Sequence, residues 1–232
     1  KENHEIISLQ ELVNRIKNKT LNNHVAAISF DDGFKNNYTT AFPILKKYNL
    51  PATIFVSTGF IEKDRMFWVD IIEDCINRTT KHEIKLNLNR ENQVFPLHNN
   101  YCRIQAVLKI KQILKQINAQ EKDKKILEVI KESGIQPSCK AAGNYEKLTW
   151  NEIREMNKSG LIDFASHTVN HPVLSQITKE EMKKEIFESK EKLEKELGRK
   201  IPLFGYPEGR LQDFNEDTIE IIKEAGHEAA FI

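Results

Sequence analysis

Apolar residues fall along this chain in two kinds of run. Residues 26–30 (Ala-Ala-Ile-Ser-Phe) and 52–56 (Ala-Thr-Ile-Phe-Val) are short and nearly continuous, and they stop at Asp31-Asp32-Gly33 and Ser57-Thr58-Gly59. Runs of that length bounded by turn residues predict buried strands. Between them Tyr38, Ala41, Phe42 and Leu45 recur at helical spacing, which predicts a helix over residues 37–48 packed on one face. Strand, helix, strand in that order favours a parallel sheet.

The rhythm returns late in the chain. Thr149-Trp150-Asn151-Glu152 and Thr178-Lys179-Glu180-Glu181 both read as capping boxes, in which a hydroxyl and a carboxylate satisfy each other's exposed amides. The first opens a helix that ends at Gly160. The second opens a helix with Met182, Ile186, Leu193 and Leu197 on one stripe, stopped by Gly198. Strands are predicted over residues 162–166, 203–206 and 229–232, with a helix over 216–225 capped by Gly226. Residues 62–147 break the alternation. They are rich in Lys, Asn, Gln and Glu and carry a helical stripe of Ile104, Val107, Leu108, Ile113, Leu114 and Ile117, so they predict a mainly helical subdomain inserted into a single 1–232 domain.

Charge and composition then remove whole classes of function. With 232 residues, 39% of them hydrophobic, the chain can bury a sizeable core. A formal charge of +1 argues against a nucleic-acid partner, which normally demands a strong basic excess. No apolar run approaches the roughly 20 residues of a transmembrane helix. Cys75, Cys102 and Cys139 form no C-x-x-C pair and read as free, largely buried thiols. The first residue is Lys1 rather than Met, so the compartment, cell envelope or cytoplasm, stays open.

Three polar clusters sit where parallel α/β folds build their sites, at the C-terminal ends of predicted strands. Ser29-Phe30-Asp31-Asp32-Gly33 sets two carboxylates side by side, which is either a turn or a metal or acid/base centre. His167-Thr168-Val169-Asn170-His171-Pro172 offers two imidazoles that can converge on one cation, or can be ordinary surface and core histidines. Phe204-Gly205-Tyr206-Pro207-Glu208-Gly209 combines a rigid Pro with permissive Gly, a way to aim a backbone amide or simply a turn. His4, His24, His82 and His98 have no such context and read as structural or surface.

Taken in order, these three clusters resemble the first motifs of the polysaccharide deacetylases, the NodB homology domain. Phe42-Pro43-Ile44-Leu45, Leu50-Pro51-Ala52-Thr53-Ile54-Phe55, Leu174-Ser175 and Gly226-His227-Glu228-Ala229-Ala230-Phe231 are similar to family sequence as well, and the likeness covers about residues 20–61 and 148–232. The resemblance implies a distorted, incomplete (β/α) barrel that removes acetyl groups from N-acetylated sugars of a glycan, with one divalent metal ion, zinc first and cobalt, nickel or manganese as alternatives. It implies that Asp31 is the general base and that Asp32, His167 and His171 hold the metal. Tyr206, Pro207 and Glu208 would line the oxyanion and substrate region, with the Glu208 amide facing the oxyanion. Trp68, in the insertion, is the aromatic to expect against a sugar, although core packing is the commoner fate of such a residue.

Two departures from the family pattern matter. Gly205 stands where many members carry an Arg, so the group that orients Asp31 must come from elsewhere, with Arg210 one candidate. The family's later Leu and His motif, source of its catalytic acid, has no counterpart before Ile232, and His227 precedes a strand and so belongs at the wrong end. The expectation is therefore a C-terminal part beyond Ile232 and weak catalysis by these 232 residues. A sugar-binding barrel that keeps the metal is the alternative from another class. A two-histidine, one-carboxylate oxygenase matches the ligand count but not the alternation of strands and helices.

Overall fold

Ala52–Val56 is buried at every position because the strand it forms is covered on both faces. In the computed structural model, which describes residues 4–22, 24–88 and 91–232, the chain forms two compact units, residues 1–63 with 146–232 and residues 64–145. The first unit begins with β1 (Glu5–Ile6), α1 (Leu9–Lys17), β2 (Val25–Ala26), β3 (Ser29–Phe30), α2 (Phe42–Tyr48) and β4 (Ala52–Val56). The second unit holds α3 (Trp68–Arg78), β5 (Glu83–Leu88), β6 (Glu91–Pro96), α4 (Asn100–Leu114), α5 (Ala119–Ser133) and α6 (Cys139–Ala142). The first unit resumes with α7 (Trp150–Lys158), β7 (Ile162–Ser166), α8 (Lys179–Leu197), β8 (Leu203–Gly205), α9 (Glu216–Glu224) and β9 (Ala229–Phe231).

Five strands of the first unit form one parallel sheet in the order β3-β4-β7-β8-β9. Alternate side chains point to opposite faces. Phe55, Ala165 and Leu203 meet Leu9 and Val13 of α1, while Ile54, Val56 and Phe164 pack with residues of α2, α7 and α8. Both capping boxes form as the sequence predicts, and Gly160, Gly198 and Gly226 follow their helices at positive φ.

One expected strand divides. Residues 26–30 become β2, which pairs with β1, and β3, which pairs with β4. Carbonyls two residues apart share a side in a regular strand. Here Ala26 O accepts from Ile7 N and Ile28 O accepts from Thr53 N, so the chain must rotate between its two partners. The helix expected over 37–48 opens as a widened turn over Asn37–Ala41. Pro43, with no N–H to donate four residues back, accounts for the change of pitch.

The second unit has its own core, built on Ile72, Ile76, Leu86, Ile110 and Leu114. Its antiparallel β5–β6 hairpin does not follow from helical stripes. In α4 the buried face is Ala106, Val107, Ile110, Ile113 and Leu114, whereas Ile104 and Leu108 of the expected stripe are exposed. None of the three cysteines is in a disulfide, and Cys75 and Cys139 are buried and Cys102 half-buried. Among the described residues no helix is long and apolar enough to cross a membrane.

Candidate active site

The register sets Phe30 level with Ile54 and Ile54 level with Phe164, so the loops after β3 and β7 leave the sheet at similar heights. Two strand spacings of about 4.8 Å separate them, a gap that facing side chains can close. After β3 the chain turns through Asp32 at φ +72° and Gly33 at φ +69°, with Gly33 N donating to Asp31 O at 2.9 Å. Glycine suits this turn, because φ +69° would strain any side chain and a Cβ would press on Ile61 Cδ1 at 3.2 Å. After β7, Ser57 Oγ donates to His167 O at 3.0 Å and His167 N donates to Val56 O at 3.1 Å, tying the first imidazole to β4.

His167 is 4% exposed, and its Nδ1 lies 2.8 Å from Gly205 O. A carbonyl only accepts, so Nδ1 carries the hydrogen and Nε2 keeps its lone pair. That nitrogen lies 3.7 Å from Asp32 Oδ1, and His171 Nε2 lies 3.4 Å from the same oxygen. The three ligand atoms fall within 4.8 Å of one another. Ligands of a tetrahedral ion with bonds of about 2.1 Å stand about 3.4 Å apart, so Asp32, His167 and His171 fit a single divalent cation. Asp32 Oδ1 is buried without a hydrogen-bond donor, a cost that a cation removes.

Electrostatics match this geometry. Burial first, and then His171, push the His167 pKa down to about 4 against the pull of Asp32 and Asp31, so the imidazole is neutral near pH 7. Burial raises the Asp32 pKa, with Glu208 adding repulsion and His167 and Lys147 opposing it. Asp31 is exposed, yet the protein around it raises its pKa by desolvation, with His167 opposing that and adjacent Asp32 adding to it. A carboxylate so raised is a better base near neutral pH.

The third loop divides its expected roles unevenly. Tyr206 N donates to Phe231 O at 2.9 Å and Pro207 has no N–H, so neither has an amide to offer an oxyanion. They supply shape instead, with the Tyr206 ring stacked on Phe214 at 4.2 Å. Glu208 follows at φ +64°, and its charge reaches Asp32. Gly205 admits no side chain, because a Cβ would sit 2.8 Å from Phe55 Cδ1 and 2.9 Å from His167 Nδ1. Arg210 is exposed, and its backbone N donates to Asp213 Oδ2. A cation that acts on Asp32 is Lys147, which the sequence does not single out. It is 6% exposed, with Nζ 3.6 Å from the Phe34 ring centroid. Backbone bonds from Lys35 N to Glu146 O and from Leu148 N to Gly33 O clamp its segment beside the acid turn.

His227 lies just before β9, at the far end of the sheet from these loops, buried against Phe204. Trp68 belongs to the second unit, where it is half-buried against that unit's core with Lys122 Nζ 5.3 Å from its ring.

Known proteins share this fold. The Streptococcus pyogenes deacetylase PplD, solved in complex with acetate, superposes over 98% of this chain and 64% of its own with a TM-score of 0.57 at 22% identity. IcaB from Ammonifex degensii superposes over 97% of this chain and 67% of its own with a TM-score of 0.58 at 17% identity. These likenesses show the fold, an incomplete barrel of parallel strands and helices. In sequence, the Bacillus subtilis protein YxkH is 21% identical over 201 residues, 87% of this chain and 42% of its own length. A Staphylococcus aureus poly-β-1,6-N-acetyl-D-glucosamine N-deacetylase is 37% identical over 73 residues, 31% of this chain and 24% of its own length. The chain thus spans less than half of these curated relatives. The sequence profile named Polysaccharide deacetylase matches residues 18–136 and 116–230, and with most of its length so matched the chain belongs to the polysaccharide deacetylase family.

Proposed function

We propose that this chain hydrolyses the N-acetyl amide of an N-acetylated glycan, with a divalent ion held by Asp32, His167 and His171 and with Asp31 as general base. The observation that carries the reading is the convergence of two imidazole Nε2 atoms on Asp32 Oδ1 at 3.4 and 3.7 Å, with a second carboxylate adjacent. A relative named for deacetylating poly-β-1,6-N-acetyl-D-glucosamine supports an N-acetylated sugar as the substrate class. Two nitrogens and one oxygen suit zinc, cobalt or nickel better than calcium or magnesium, and zinc is the ion we assign.

A zinc ion in such a site supplies Lewis acidity and brings the pKa of water toward neutrality. Asp31 is left to accept a proton, because Asp32 is committed to the ion and Asp31 is not. Gly205 O holds His167 in the one tautomer that presents a lone pair. Lys147 offsets part of the negative charge around Asp32 and so favours its ionised form against burial and Glu208. Glu208 offers its backbone amide to the oxyanion that develops on the acetyl carbonyl.

The test is acetate release from a panel of N-acetylated oligosaccharides, with and without a chelator. The expected result is release that stops on chelation and returns with Zn²⁺. Glycan binding without acetate release would identify a binding barrel instead, and release indifferent to chelation would remove the metal from the reaction.

A further inference from the structure

The histidine loop is short and bends sharply, with Thr168 at φ +65° and His171 at φ +56°. Histidine tolerates that region but β-branched threonine is an outlier in it, so the loop keeps its shape at Thr168 only if its surroundings impose it. On one side the turn after β4 grips it: Thr58 N donates to Thr168 O at 3.1 Å and Gly59 N donates to Val169 O at 2.8 Å. Gly59 is pressed so close that a Cβ would lie 2.7 Å from Val169 O. Within the loop, His171 N donates to Thr168 Oγ1 at 3.0 Å.

The other side is held by one carboxylate. Glu185 Oε2 accepts from Val169 N at 2.9 Å and from Asn170 N at 2.7 Å, and Oε1 accepts from Asn170 Nδ2 at 2.6 Å. One turn further along α8, Ser189 is fully buried and its Oγ lies 2.7 Å from Ser166 Oγ, at the last residue of β7. Residues four apart share a helix face. A single polar stripe of α8 therefore fastens first the end of the strand and then the loop that carries His171.

We propose that Glu185 is a positioning residue, a carboxylate clamp that sets His171 at one-ion spacing from His167 and Asp32 before any ion arrives. The inference rests on the metal site proposed above. Glu185 bonds the loop rather than the acid and histidine side chains, so its effect passes through the backbone of Val169 and Asn170. Such outer partners typically govern metal affinity by 10 to 100-fold.

The clamp also predicts which replacement is tolerated. Both backbone amides go to the same oxygen, so a glutamine can accept them at its carbonyl while its NH₂ meets the Asn170 amide turned the other way round. The experiment measures Zn²⁺ affinity by competition with a chromophoric chelator, together with far-UV circular dichroism and the Zn²⁺-induced rise in Tm. Glu185→Ala is expected to loosen zinc by about 10 to 100-fold and to shrink the rise in Tm, with Glu185→Gln staying within about threefold of the parent. Zinc binding by Glu185→Ala equal to the parent's would overturn the clamp, as would glutamine failing as badly as alanine. If Glu185→Ala does not fold, Glu185→Asp, whose carboxylate is one methylene too short to reach both amides, takes its place, and unchanged zinc affinity there overturns the clamp too. A parent chain that takes up no zinc removes the underlying site, an outcome distinct from all of these.

Discussion

The two ends of the parallel sheet solve the same problem of turning the chain in different ways. At the N-terminal end the connections after α7, α8 and α9 turn through Gly160, Gly198 and Gly226, with φ of +73°, +66° and +75°. At the C-terminal end the left-handed positions belong to Asp32, Thr168, His171 and Glu208 as well as glycines. Glycine adopts such angles freely, whereas side chains there cost about 1 to 2 kcal/mol each, less for Asp. In the connections after α7, α8 and α9 the chain only has to turn and uses glycine, although Lys19 and Asn49 after α1 and α2 sit at φ +57° and +51°; in the site loops the strain is kept at side chains. Histidine makes the same point. Both His167 and His227 come down to about 4, chiefly by burial, but Asp32 and Asp31 oppose the fall of the first while Lys190 adds to that of the second. A shifted pKa is thus common to both ends, and the converging carboxylate is what separates a site from a packed core.

The widest gap between the ends should open on removing a histidine from each. His167→Ala is expected to abolish measurable Zn²⁺ binding and acetate release, whereas His227→Ala leaves zinc affinity within about threefold of the parent, since it lacks an acid partner. Competition with a chelating dye reads both, and zinc retained by His167→Ala would break the comparison. Next comes a separation inside the active end. Asp31→Asn should keep zinc but slow acetate release by about 10²-fold or more, the scale of a lost general base. Asp32→Asn should lose zinc as well. Equal loss of zinc in both variants would remove the distinction between base and ligand, and loss in Asp31→Asn alone would exchange the two roles.

Those sites were legible in the sequence to the extent that their chemistry is local. The strands at Ala52–Val56 and Ile162–Ser166 and the capping boxes at Thr149 and Thr178 depend on neighbours within a few residues, and they stand where the pattern puts them. The split at residues 27–28 depends on which distant strands accept each carbonyl, which no local window contains. The β5 alternation of Ile84, Leu86 and Leu88 with Lys85 and Asn87 was present as a strand signal, yet the helical stripes around it dominated the reading. Lys147 was invisible for another reason. A lysine is almost never buried, and only the pairing of residues 33–35 with 146–148 brings it beside the acid turn.

A smaller effect sharpens the contrast between the two buried histidines through pH. The unfolded chain protonates His227 near 6.5 and the folded chain only near 4, so the unfolded state takes up its proton first as pH falls. Its contribution is therefore complete above pH 6.5 and lost progressively down to about 4, up to about 3 kcal/mol at 1.36 kcal/mol per unit. With chelator present, so that metal loss does not intervene, His227→Leu is expected to flatten the fall of Tm across that window. Parallel curves for parent and variant would show that His227 is not what titrates there.

The smallest expected effect is the most direct test of where strain is kept. Glu208→Gly removes a side chain from a position at φ +64° and also removes a negative charge that repels Asp32. Against this gain stands the freedom a new glycine gives the unfolded chain, about 0.5 to 1 kcal/mol. The net change should be a stabilisation of less than about 1 kcal/mol, read as a small rise in Tm of the metal-free protein. Gly198→Ala supplies the opposite experiment at the other end. A Cβ there meets nothing within 4 Å, so the substitution tests the backbone angle of φ +66° alone and should destabilise by about 1 kcal/mol. If Glu208→Gly instead lowers Tm as much as Gly198→Ala does, the Glu208 side chain contributes more to the loop than its backbone angle costs, and strain is not what distinguishes the working end of the sheet.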